Sequence, residues 1–119
     1  IDLVGRKLAD GGAAALALID EVRDRADAAR AAHPTLATPL RDAALSLREA
    51  TEWLVRQGPD ARQAGAVPYA LAFARVLGGV AHLAAAQADP GPHARLAAFY
   101  VARLLPDHAA HLAALRNGA

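Results

Sequence analysis

The sequence predicts an all-α protein, a four-helix up-down bundle with a kinked central helix. Three observations carry that reading. Alanine fills 34 of the 119 positions, and alanine has the best helix propensity. Glycine and proline gather at a few breakpoints, which leaves long stretches free to be helical. Between the breakpoints, apolar residues recur three and four apart, the period of one helix face.

Residues 1–8 read as the tail of a helix, broken at Asp10-Gly11-Gly12, with Asp10 placed to cap the next helix. The first full helix then spans about residues 12–32. Leu16, Ile19, Val22 and Ala26 line its inner face, and Glu21 with Arg25 and Arg23 with Asp27 pair on its outer face. His33-Pro34-Thr35 ends it. The second helix starts with Thr38 as N-cap and Pro39 at the first helical position. Its stripe is Leu40, Ala44, Leu47, Thr51 and Leu54, flanked by Trp53, with Glu52 and Arg56 paired outside. Gly58-Pro59 stops it, the glycine being expected in the left-handed conformation.

The third helix, about residues 60–88, is the longest. It is apolar nearly all round from Val67 to Leu83, as a central helix should be. Pro68 removes a hydrogen bond and presses on the carbonyl of Ala64, so a kink is expected there. Gly78-Gly79 lowers helix propensity, and close approach of a neighbouring helix would account for the pair. Asp89-Pro90-Gly91-Pro92 ends this helix. The fourth runs from His93 to about Arg116, with Leu96, Phe99, Tyr100, Leu104, Leu112 and Leu115 inside and a bend near Ala102 caused by Pro106. Asn117-Gly118 closes it. Short loops join all four helices, which favours antiparallel neighbours.

Charge excludes several functions. Thirteen basic residues nearly balance twelve acidic ones, and no basic stripe forms, so nucleic acid is not an expected partner. There is no cysteine, hence no disulfide, thiolate metal site or cysteine nucleophile. The stretch 64–86 is long enough to span a bilayer but holds Pro68, Arg75, two glycines and His82, so it reads as a buried helix, not a membrane span. No targeting segment is visible, and the cytoplasm is the expected compartment.

No constellation amounts to an active site. His108 and His111, three apart beside Asp107, could share a metal only if His82 or His93 joined them; solvated surface groups are the simpler reading. His82 on the central helix reads as a buried neutral imidazole with one partner. Glu49 and Glu52, beside Arg48 and Arg56, lack the Glu-x-x-His motifs of a di-iron bundle and read as a solvated face. Gly11-Gly12 lacks the spacing of a phosphate loop, and the single serine, Ser46, has no nucleophile motif. Catalytic, cofactor-binding and metal-ligating residues are therefore all assigned as none.

Two stretches carry a resemblance. "IDLVGRKLADGG" resembles the segment that follows the catalytic YEGTNGIQA-type stretch of bacterial acyl-CoA dehydrogenases. "AVPYALAFARVLGGVAHLAAA" and "LAAFYVARLLPDHAAHL" are similar to the helical domain that one subfamily carries after its dehydrogenase core. That subfamily includes 3-methylmercaptopropionyl-CoA and certain long-chain dehydrogenases. Its recurrent steps are matched by Tyr69-Ala70-Leu71, Gly78-Gly79, Ala97-Ala98-Phe99-Tyr100 and Leu104-Leu105-Pro106. Ala72-Phe73-Ala74-Arg75 departs from a common Leu-Phe-Gly step.

The resemblance implies that residues 1–9 end a missing dehydrogenase core and residues 10–119 form its C-terminal helical domain. The lack of any methionine fits a chain cut from a longer one. The parent would be an FAD-dependent enzyme of fatty acid metabolism that takes acyl-CoA and passes electrons to an electron-transfer flavoprotein. Its catalytic glutamate would precede Ile1, so this part would lack the active site. Its role would be to pack on the core and support a homodimer. A free-standing helical bundle that binds a protein partner or an apolar ligand is the alternative.

Overall fold

The computed structural model describes Leu8 and residues 10–117. Among these residues every regular element is helical: α1 (Ala13–Ala29), α2 (Pro34–Val55), α3 (Pro59–Ala88), α4 (Pro90–Phe99), a π-helical turn (Tyr100–Leu104) and α5 (Asp107–Asn117). Leu8 is helical and buried. The rest of the expected N-terminal helix tail, the expected boundary after residue 9 and the Gly118 stop lie outside the described residues.

Asp10 caps α1 from three residues upstream of the helix start. Its carboxylate accepts from the backbone N–H groups of Gly12 and Ala14, both at 3.1 Å. Those donors have no partner within the helix, so the carboxylate satisfies them and meets the positive end of the helix dipole. Gly11 and Gly12 sit at φ of 74° and 82°, where a side chain would be strained. Ala15, Ile19, Val22, Ala26 and Ala29 form the buried face of α1, while Leu16 is only half-buried.

The α1–α2 connection differs from the sequence expectation. Helix α1 ends at Ala29, and α2 begins at Pro34, four residues before Thr38. Pro34 takes the early position that Pro39 was expected to take, since a ring with no N–H is harmless in either place. Pro39 lies within the second turn, where it forgoes one bond to the Thr35 carbonyl. The stripe of Leu40, Ala44, Leu47, Thr51 and Leu54 is fully buried, as its spacing predicts. Gly58 is extended (φ −70°, ψ 171°), not left-handed, because it starts α3 instead of closing α2.

The expected outer pairs of α1 and α2 give way to other partners, two of them between the helices. Arg48 reaches Asp20 at 2.5 Å, and Arg41 reaches Asp27 at 2.8 Å. Arg23 pairs with Asp20 and Asp24, and Glu52 lies 4.0 Å from Arg48. An aspartate too short to bridge a helical turn well reaches a long arginine on the next helix more easily. These groups are about one-third exposed, so solvent screens them. Arg48→Ala should therefore cost only about 0.5–1 kcal/mol in urea unfolding.

Helix α3 is the axis of the molecule. Its 30 residues span about 45 Å, matching the 46 Å long dimension. It packs against α1, α2, α4, the π turn and α5. Pro68 lies inside this one continuous helix. The Gly78-Gly79 pair is explained by close approach. A Cβ on Gly78 would overlap the Tyr100 hydroxyl, and one on Gly79 would lie 2.8 Å from Leu40.

The expected fourth helix is two helices with a π turn between them. Pro106 has no N–H to donate to the Ala102 carbonyl, and the chain responds by widening one turn. Leu105 N–H donates five residues back, to Tyr100 O, at 2.8 Å. The widened turn rotates the buried face. Ala97, Tyr100, Val101, Leu105, Leu112 and Leu115 are buried and Leu104 is half-buried, while Leu96 and Phe99, expected inside, are exposed.

Candidate functional site: an apolar face on α3 and α4

Among the described residues, apolar surface left uncovered on α3 and α4 marks a region whose composition suits a partner. On α3, positions 67, 71, 74, 78 and 81 fall on one helical face. Val67, Leu71, Ala74 and Ala81 are exposed there, with Ala70 and Leu77 alongside. Tyr100 crosses this stripe at Gly78, and its hydroxyl donates to Arg75 O at 2.8 Å. Leu96 and Phe99, just before Tyr100 on α4, are 54% and 58% exposed. Isolated exposed leucines need no explanation, but here five large apolar side chains are exposed on two helices that pack together.

The titratable residues are arranged for structure. His111 Nε2–H and Arg75 Nε–H both donate to Asp107 Oδ2, at 2.8 and 3.2 Å. This triad ties the first turn of α5 to the middle of α3. The Arg75 guanidinium and then the His111 ring hold the Asp107 carboxyl below its ordinary 3.8. A carboxylate with a depressed pKa stabilises the fold above its unfolded value and loses that contribution as pH falls below it. Thermal stability should accordingly drop as pH falls below about 3.8, and Asp107→Asn should flatten that part of the pH profile of the melting temperature.

His108 does not join His111. Its Nδ1–H donates to Leu105 O at 2.6 Å, capping the π turn. His93 lies 3.9 Å from Asp89. His82 is half-buried instead of buried, and it stacks on Tyr100 with ring centres 4.5 Å apart. Among the described residues, no three His, Asp or Glu side chains converge as metal ligands. Ser46, Glu49, His108 and Arg116 line an open cleft of about 420 Å³ between α2 and α5, with no nucleophile–base contact within it.

Among the described residues the glycines of the first turn do not form a nucleotide cradle. The left-handed glycines would be its natural place, but the Asp10 carboxylate already takes the N–H groups there and would repel a phosphate. Helix α3 is long and apolar enough, by composition, to cross a bilayer; one such helix is weak evidence, and this one carries half-buried Arg75 and is packed by the other helices.

The sequence makes α3 a buried, nearly all-apolar helix and places Leu96 and Phe99 inside; the structure leaves part of α3 and both of those side chains exposed. The signal was present: Ala97, Val101 and Leu105 repeat every four residues, and they are the buried set.

Taken together, these features define an all-helical domain with an uncovered apolar face. A family model described as acetyl-CoA dehydrogenase C-terminal like matches residues 18–119, and the chain belongs to that family. No curated protein and no solved structure matches the chain.

Proposed function

We propose that this chain is the C-terminal helical domain of an FAD-dependent acyl-CoA dehydrogenase of the subfamily that includes 3-methylmercaptopropionyl-CoA and long-chain enzymes. Its helices form an up-down bundle whose task is architectural. The α3–α4 face packs on the dehydrogenase core and supports the homodimer. Substrate, flavin and catalytic base belong to the core, which oxidises acyl-CoA in the cytoplasm of a bacterium and hands electrons to an electron-transfer flavoprotein. FAD in the parent follows from the family, and no residue of this chain is given a flavin contact.

The observation that carries the proposal is the family match over almost the whole chain. The exposed face on α3 and α4 supports the packing role. The test is to express the complete coding unit and measure its mass, visible flavin absorbance and acyl-CoA oxidation. A yellow protein that oxidises acyl-CoA is the expected result. A colourless protein of this chain's size, with no acyl-CoA activity, would overturn it.

A further inference from the structure

We infer that the α3–α4 face docks a protein surface that is apolar at its centre and acidic at its rim, and that it does not dock the same face of a second copy. The inference rests on the interface reading above and adds the chemistry of the occupant.

Charge distribution is the basis. Between Asp60 and Asp107 the only acidic residue is Asp89. The whole of residues 61–119 holds five arginines against two aspartates. No carboxylate therefore lies along the exposed stripe of α3 or on α4. Arg95 and Arg103 flank Phe99, four residues before and four after it, and both are exposed. Among the described residues neither makes an ion pair, as is also true of Arg25, Arg56, Arg62 and Arg116, whereas Arg23, Arg30, Arg41, Arg48 and Arg75 do. The face thus presents apolar contact at its centre and unpaired positive charge at its edge.

A two-fold copy of this face would repeat the same residues across the axis. Four arginines would then share one interface whose exposed α3 stripe and α4 helix supply no acid, and like charges gathered together act against the pairing. An acidic rim gives each arginine a partner and steers encounter. An anionic membrane fits less well. Surfaces that bind such lipids carry about 4–8 basic residues, and this face carries two. The single tryptophan, which would favour a membrane boundary, is Trp53 on α2, a different helix.

The test uses the 119-residue chain and two helical peptides. One carries leucines along one face and glutamates at the rim; the other has lysines in place of the glutamates. Binding is read by fluorescence anisotropy at low and high salt. The glutamate peptide should bind about tenfold tighter than the lysine peptide at low salt, and the gap should close as salt rises. Arg95→Glu with Arg103→Glu should reverse the preference, and Phe99→Ala should weaken both peptides. All three side chains are exposed, so circular dichroism should show unchanged folding. Equal binding of the two peptides, or binding of neither, would overturn the inference. So would self-association that salt strengthens and Phe99→Ala abolishes, or binding to phosphatidylserine vesicles but to neither peptide. Self-association of that kind would leave the dimer role standing while removing this inference, whereas a colourless, inactive product of the complete coding unit would remove the family reading itself.

Discussion

Replacing Tyr69 with alanine is expected to lower the unfolding free energy by about 3–5 kcal/mol. Tyr69 is 1% exposed and lies on α3 where that helix meets α2. Its ring meets the edge of Phe73 at 72°, with centres 5.7 Å apart, in the geometry aromatic quadrupoles favour. Its hydroxyl lies 2.6 Å from the Thr51 hydroxyl. Thr51 donates its own hydrogen to Leu47 O at 2.8 Å, so Tyr69 is the donor of the pair. Burial raises the pKa of the phenol, and the Thr51 bond only partly opposes the rise. Tyr69→Phe should therefore be mild, about 0.5–1.5 kcal/mol, because Thr51 keeps its bond to Leu47. Urea denaturation of the two variants separates packing from hydrogen bonding. Equal losses would mean that the hydroxyl pair, not the ring, holds α2 to α3.

Gly78→Ala is expected to destabilise the protein by about 2–3 kcal/mol, although alanine normally favours a helix by about 1 kcal/mol. The new methyl would overlap the Tyr100 hydroxyl and lie 2.7 Å from Tyr100 Cζ. The ring cannot give way by turning its tip, because the hydroxyl is bonded to Arg75 O and the ring stacks on His82. Moving it breaks that bond and shifts α4 against α3. Pairing Gly78→Ala with Tyr100→Ala should remove the clash, so the double variant should be more stable than the sum of the two losses implies. If Gly78→Ala instead stabilised the protein by the helix-propensity amount, the close approach of α4 would be wrong.

These two residues also show what the sequence could convey. Gly78-Gly79 inside an apolar helix predicts close approach without any knowledge of the neighbour, because no other residue removes so much bulk there. The α2 stripe ending in Thr51 and Leu54 is equally readable, since its helical spacing runs unbroken from Leu40. The start of α2 is harder to read. Pro34 and Pro39 both satisfy the start rule, and choosing between them needs the tertiary position of His33, whose N–H donates to Ala29 O at 2.8 Å. The π turn is the larger gap. A proline in a helix implies a bend, but the sequence does not say whether the chain bends or widens. Widening at residues 100–104 turned Leu96 and Phe99 from expected core into exposed surface. The candidate face was thus half legible: its α3 stripe lies in an evidently apolar helix, while its α4 extension was marked only by the four-residue repeat of Ala97, Val101 and Leu105, which the bulkier Leu96 and Phe99 outweigh.

The architectural role is the central claim, and assembly of the complete parent enzyme tests it most directly. Light scattering after size-exclusion chromatography would compare the wild type with a Leu71→Glu, Phe99→Glu variant. Both side chains are exposed, so the helices themselves should form normally. The account predicts that the variant falls from dimer to monomer while retaining visible flavin absorbance. A variant that remains a dimer, with acyl-CoA oxidation unchanged, would contradict it.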